Sequence, residues 1–326
     1  MKNKTITRRE LLFQAAAMAA TGVSCTSDGK TSPQASAVEA GMPLRSLGKT
    51  GIRISMLAFG CGGRFIKGYP TEDKALEVLN WVFSNGINYF DTAHDYGNGE
   101  SERRLGLFLK GQRKKLFVAT KLGARVTNKF LSQFEISLKR LQTDYVDLLN
   151  IHSLRTMKEV EQIGSKGGIY ESLVRLKEQK GAKFIGFSCH SNGQVAKAAI
   201  EQYDFDCCTL QLNAAKIGGF EDIALPAALR KNMGVVAIKA TGQDRLLEKA
   251  PGKGRIEELL RYVWNLPVVS IVLGMPSLKM IKQDIELARN FKYITRAEAE
   301  ALRDRMAHFR PTLERFFHHH SDFETT

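Results

Sequence analysis

Zinc ribbons, iron–sulfur clusters and disulfide frameworks find no support in this sequence. Its five cysteines contain no Cys-x-x-Cys pair, and Cys207 and Cys208 are adjacent, so on a strand they point to opposite faces. Cys61, Cys189, Cys207 and Cys208 read as small core residues. No Gly-x-Gly-x-x-Gly follows the first predicted strand, which removes the dinucleotide fingerprint of an open, doubly wound sheet. There is also no His-x-His on that strand and no cluster of acids, which argues against a metal-dependent barrel hydrolase built on His94, His152 and His190. Lys and Arg are dispersed despite a formal charge of +14, so the surplus reads as a solvated basic surface with no nucleic-acid partner. What is present is ample: 326 residues, 43% of them hydrophobic, bury a core without disulfides or metals.

The N-terminal segment differs from the rest. Arg8 and Arg9 stand directly before an Ala-rich run, Phe13 to Val23, that is too short and too weakly apolar for a membrane span. The pattern resembles a Tat export signal over residues 1–24. Removing it deletes four basic and one acidic side chain and leaves +11. Two processing sites compete. Gly22-Val23-Ser24-Cys25 resembles a lipobox, which leaves Cys25 lipidated and the protein tethered to a membrane face; Ala35-Ser36-Ala37 is an A-x-A match, which releases it. The first is preferred, with residues 25–42 as a Ser/Thr/Ala/Gly-rich tether. The expectation is an exported protein, periplasmic or membrane-anchored, and monomeric.

From residue 43 to the end the chain reads as one domain. Arg45 to Ile54 contains Gly-Lys-Thr-Gly, the turn of a hairpin. Eight apolar runs then recur: Ser55–Gly60, Asn88–Thr92, Leu116–Lys121, Val146–His152, Lys183–Ser188, Cys207–Leu212, Gly234–Lys239 and Ser270–Gly274. Between and after them, stretches such as Asp73–Asn85 and Ser277–Asn290 are amphipathic at helical spacing. Continuous apolar strands imply burial on both faces, as in a parallel sheet. Eight such units over this length are the count of a closed α/β barrel, the (β/α)8 or TIM fold. Residues 294–326 are predicted to add a further helix and a tail that includes His318, His319 and His320.

In such a barrel, polar residues at the C-terminal ends of strands face the site. The second, third and fourth strands end in Asp91, Lys121 and His152, and Tyr96 follows Asp91 by five residues. Each alone has a bland reading: a turn former, an ion-pair partner, a core histidine. Together they suit carbonyl chemistry, which needs a hydride on carbon and a proton on oxygen. Tyrosine, with an ordinary pKa of about 10, is a poor proton partner near neutrality. An ammonium at Lys121 stabilises its phenolate, Asp91 holds that ammonium in place, and His152 donates to the substrate oxygen.

Phe90-Asp91-Thr92-Ala93-His94-Asp95-Tyr96-Gly97, running into Ser101-Glu102, resembles the signature of the aldo-keto reductases. Ala119-Thr120-Lys121 and Leu149-Asn150-Ile151-His152 resemble two further segments of that family. The resemblance spans residues 43–290 and implies a catalytic tetrad of Asp91, Tyr96, Lys121 and His152 acting with NADP or NAD. It also implies that Ser188 and Gln211 hold the nicotinamide carboxamide, with Cys189 in place of the family's Asn. The segment from Gly274 through Ser277 and Met280 to Gln283 and Asp284 resembles the adenosine-binding end, and Lys239 is assigned to the same cofactor site. NADP-preferring relatives carry Lys and Arg where this chain has Gly274 and Met280, with Lys279 and Lys282 as candidate substitutes. Arg64, His94 and His190, on mouth loops, are expected to line the pocket for a small carbonyl or sugar-derived substrate. Reduction of an aldehyde or ketone, or oxidation of the alcohol, is the leading expectation. A net non-redox sugar reaction with tightly held cofactor, and a non-catalytic cofactor-binding protein, are the alternatives.

Overall fold

A computed structural model describes residues 40–248 and 252–319. The expected export leader, the expected lipidation site Cys25 and most of the expected tether lie outside the described residues. Eight parallel strands close into a barrel: β3 (Leu57–Gly60), β4 (Tyr89–Asp91), β5 (Phe117–Leu122), β6 (Val146–Ile151), β7 (Ala182–Cys189), β8 (Cys207–Gln211), β9 (Gly234–Ile238) and β10 (Ser270–Leu273). They follow one another in chain order around the barrel, and β10 closes on β3 with Val272 opposite Ala58. All eight apolar runs read from the sequence are strands, because each is buried on both faces.

The hairpin is also present. β1 (Leu44–Ser46) pairs antiparallel with β2 (Arg53–Ser55) and floors the barrel. Leu47 and Ile54 join Tyr89, Phe117, Leu148 and Val236 in the barrel's inner core. Gly48 makes this approach possible: at φ 52° it sits so close that a Cβ would lie 2.4 Å from the Gly234 nitrogen.

The principal helices are α2 (Glu72–Ser84), α3 (Glu100–Leu109), α4 (Thr127–Leu141), α6 (Ile169–Glu178), α7 (Gly193–Gln202), α8 (Phe220–Arg230), α9 (Ile256–Asn265) and α10 (Leu278–Arg289). Two short helices, α1 (Gly63–Gly68) and α5 (Met157–Ile163), lie in the connections that follow β3 and β6. α5 carries a capping box, with Thr156 and Glu159 satisfying each other's backbone. The C-terminal expectation is corrected. Instead of a helix and a tail, two helices form, α11 (Arg296–Ala307) and α12 (Arg310–His319). The reason is burial: Leu302, Met306, Leu313 and Phe317 recur at helical spacing and pack into the core. His318 therefore belongs to a helix, and His320 lies outside the described residues.

Candidate active site

β4, β5 and β6 end side by side, and their register sets what meets at the mouth. Lys121 is the cross-strand partner of Asn150, and His152 follows β6 by one residue. The Lys121 ammonium donates to the Asp91 carboxylate and to the Thr92 carbonyl at 2.7 Å. Both ionic side chains are almost fully buried, at 2% and 3% exposure. Tyr89 supports the carboxylate from below, its hydroxyl donating at 3.3 Å. Burial, and then the Asp91 carboxylate, hold the Tyr89 hydroxyl well above the ordinary tyrosine range, so it remains a donor.

Tyr96 reaches this pair because of the turn after it. Gly97, Asn98 and Gly99 all take left-handed backbone, which reverses the chain into α3. The Tyr96 ring then lies against Gly62, where a Cβ would stand 3.5 Å away, with the Lys121 ammonium 5.2 Å from its centroid. His152 presents an edge to Tyr96 at 5.8 Å between centroids and stands 6.2 Å from His190. Asp91, Tyr96, Lys121 and His152 are thus one contiguous group.

Ser101 and Glu102, which the sequence offers only as pattern, brace it. The Ser101 hydroxyl donates to the Cys61 carbonyl and lies 2.6 Å from the Thr92 hydroxyl. Glu102, fully buried, accepts from Thr120 at 2.7 Å and from Arg140 at 3.3 Å. Those bonds fasten α3 and α4 to the ends of β3, β4 and β5.

A cavity of about 470 Å³ opens over the barrel mouth, a size ordinary for a small-molecule site. Asp91, Tyr96, Lys121 and His190 line one part of it, and Lys239, Gly274, Met280 and Asp284 line another. Gln211, which is not among the residues that line the cavity, is buried beside Ile238, and among the described residues neither atom of its amide has a hydrogen-bond partner. The Asn150 amide is in the same position. The Ser188 hydroxyl accepts from the Ser153 nitrogen at 2.8 Å.

Other expected residues stand elsewhere. His94 turns its ring from the cavity toward α4, with Ser137 at 3.2 Å and Arg140 at 3.4 Å. Arg140 fixes it there by donating to the His94 carbonyl at 2.8 Å. Arg64 does line the cavity, but it lies against Gly274 and donates to Asp244 at 2.6 Å. Ser277 caps α10, accepting from the Met280 nitrogen, and Gln283 is exposed; neither is among the residues that line the cavity. Asp244, Thr241 and Lys67 also line it, and nothing in their sequence context marks them. Among the described residues no group of three or more His, Cys, Asp or Glu is gathered as metal ligands.

With this geometry in place, the comparisons identify the family. The Aldo/keto reductase family model matches residues 56–290, and the chain belongs to that family. L-Galactose dehydrogenase of Arabidopsis thaliana is 36% identical over 157 residues, covering 44% of this chain and 48% of that protein. The chloroplastic pyridoxal reductase of the same plant is 31% identical over 166 residues, covering 45% of this chain and 44% of that protein. The chain thus spans about half the length of the curated relatives it matches. An aldo-keto reductase from Bacillus halodurans, solved in its holo form, superposes with a TM-score of 0.68 at 23% identity. That likeness covers 81% of this chain and 96% of the other, and it shows the fold.

Proposed function

We propose that the protein is a nicotinamide-dependent oxidoreductase that interconverts a small aldehyde or ketone and its alcohol, with Tyr96 as the proton donor and acceptor. One observation carries the reading: a buried ammonium, Lys121, is bound to Asp91 and lies 5.2 Å from the Tyr96 ring. The names of the two relatives, a dehydrogenase of a sugar and a reductase of pyridoxal, fall in the same reaction class.

A bound nicotinamide supplies or takes the hydride at the carbonyl carbon. The protein's part is the oxygen. In reduction Tyr96 gives its phenolic proton to the nascent alkoxide, and the Lys121 ammonium stabilises the phenolate left behind. That stabilisation is strong because the pair is shielded from water. Asp91 and the Thr92 carbonyl keep the ammonium pointed at the phenol. His152, packed against the Tyr96 ring, orients the carbonyl oxygen by donating to it.

The chain also suits the cofactor. A buried primary amide without partners is costly, so Gln211 asks for a ligand that both donates and accepts, as a carboxamide does. Ser188 and Gln211 would hold that carboxamide.

Tyr96→Phe tests the assignment, because it keeps the ring on Gly62 and His152 and removes only the hydroxyl. Turnover should fall by about 10²–10⁴-fold while nucleotide affinity, read by tryptophan fluorescence quenching, stays near that of the parent. Turnover retained in the variant would remove Tyr96 as the proton donor.

A further inference from the structure

The cavity changes character at the far end of β10. There Gly274 meets Met280 and Asp284, one helical turn apart on α10, with Arg64 from α1 and Asp244 from the loop after β9. A Cβ on Gly274 would lie 2.8 Å from the Arg64 Cδ and 3.1 Å from its Cβ. The Arg64 stem thus fills the space that a longer side chain at 274 would need. Its guanidinium is also committed, donating to the Asp244 carboxylate at 2.6 Å and leaning on the Gly274 carbonyl at 3.5 Å. Asp284 is 3% exposed, lines the cavity, and meets no donor among the described residues. Lys279 and Lys282, on the same helix, are exposed, and neither lines the cavity; Lys282 lies 5.9 Å over the Trp81 ring. Of the other cations that line the cavity, Lys67 and Arg245 are exposed, with Arg245 stacked on Phe316 at 3.6 Å, and Lys239 is half-buried at the end of β9.

Resting on the reading that this cavity binds a nicotinamide dinucleotide, we propose that its far end selects the dinucleotide lacking a 2′-phosphate. Asp284 is the specificity-determining carboxylate, and the Arg64–Asp244 pair closes the space a phosphate-binding cation would occupy. The chemistry is that of a buried acceptor. A nucleoside offers hydroxyl and amino donors, which a carboxylate without partners accepts. A 2′-phosphate offers no donor when ionised and brings a charge of about −1.5 to −2. The surroundings already resist negative charge, since burial and then the Asp244 carboxylate push Asp284 up to about 7. A phosphate dianion placed there meets the same penalty.

Direct binding tests this without turnover. Titration calorimetry of the full chain with NAD⁺ and with NADP⁺ should show NAD⁺ bound about tenfold or more tightly. Asp284→Asn keeps the volume and an acceptor, and should shift the ratio toward NADP⁺ by about tenfold. Met280→Arg adds a cation on the same face and should tighten NADP⁺ without help from Asp284. Equal affinity of the parent for both nucleotides, or a ratio that Asp284→Asn leaves unmoved, overturns the selectivity alone. Binding of neither nucleotide overturns the dinucleotide reading itself, and the selectivity with it.

Discussion

Lys121→Met, set against Asp91→Asn and the double variant, separates what the buried ion pair contributes to folding from what it contributes to chemistry. Methionine keeps the unbranched stem, so the change removes a charge and two hydrogen bonds while leaving packing nearly intact. The structure fixes what is left. Asp91, at 3% exposure, loses its ammonium and retains the Tyr89 hydroxyl at 3.3 Å, while the Thr92 carbonyl loses its donor. Removing one partner of a buried pair costs about 3–5 kcal/mol, so Lys121→Met should unfold at markedly lower urea concentration. Asp91→Asn strands the ammonium instead and should cost a similar amount. The double variant removes both charges together, so its cost should fall short of the sum by about 1–3 kcal/mol. Urea titrations followed by the fluorescence of buried Trp264 supply the three values. Turnover should be lost in all three variants whatever their stability. Strictly additive costs, or a Lys121→Met variant as stable as the parent, would refute the claim that the ammonium is held chiefly by Asp91.

Burial and the Asp244 carboxylate raise Asp284 from 3.8 to about 7, so the folded protein holds that proton more tightly than the unfolded chain. The contribution is full below about pH 4, is lost as pH rises through about 7, and amounts to at most about 4 kcal/mol. Asp284→Asn should therefore gain on the parent across that window in urea unfolding, and parallel pH profiles would refute it. Gly106→Ala should destabilise by about 1–3 kcal/mol, because a Cβ there would stand 2.3 Å from the Arg140 carbonyl oxygen, forcing α3 from α4. A variant that melts with the parent would show that the two helices part without cost.

The barrel was legible because its signal is redundant: eight apolar runs, each bounded by turn residues, leave little choice of topology. Asp91, Lys121 and His152 were legible because strand ends are the one place in this fold where a sequence position fixes a direction, whereas Tyr96, in the loop after β4, was legible only through the motif that runs on from Asp91. Loop residues carry no such rule. His94 and Arg64 both follow strand ends in sequence, yet one is drawn to Arg140 and the other to Asp244, partners 46 and 180 residues away. A long-range side-chain contact leaves no periodic trace. The second C-terminal helix was missed for a different reason: its apolar positions, Leu313 and Phe317, sit in a stretch dense with His, Arg and Glu.

That contrast divides the cavity into halves with different mechanical origins. The half around Tyr96 rests on strands and buried bonds: Lys121 to Asp91, Ser101 to Cys61, Thr120 to Glu102. Those bonds tie the Tyr96 surroundings to the barrel strands themselves. The half around Asp244 rests on a loop in which Lys239, Gln243 and Asp244 all take positive φ without being glycine. Each such residue costs free energy, and it persists only where its surroundings over-determine it. Here the loop is held by turn bonds, among them the Gly242 nitrogen to the Lys239 carbonyl at 2.8 Å and the Leu246 nitrogen to the Thr241 carbonyl at 3.1 Å, by the Arg64–Asp244 pair, and by Thr241 accepting from the Asp244 nitrogen at 3.2 Å. Substitutions that loosen this loop should therefore act on nucleotide binding and release and leave the proton-transfer geometry alone. Substitutions beneath Tyr96 should do the reverse.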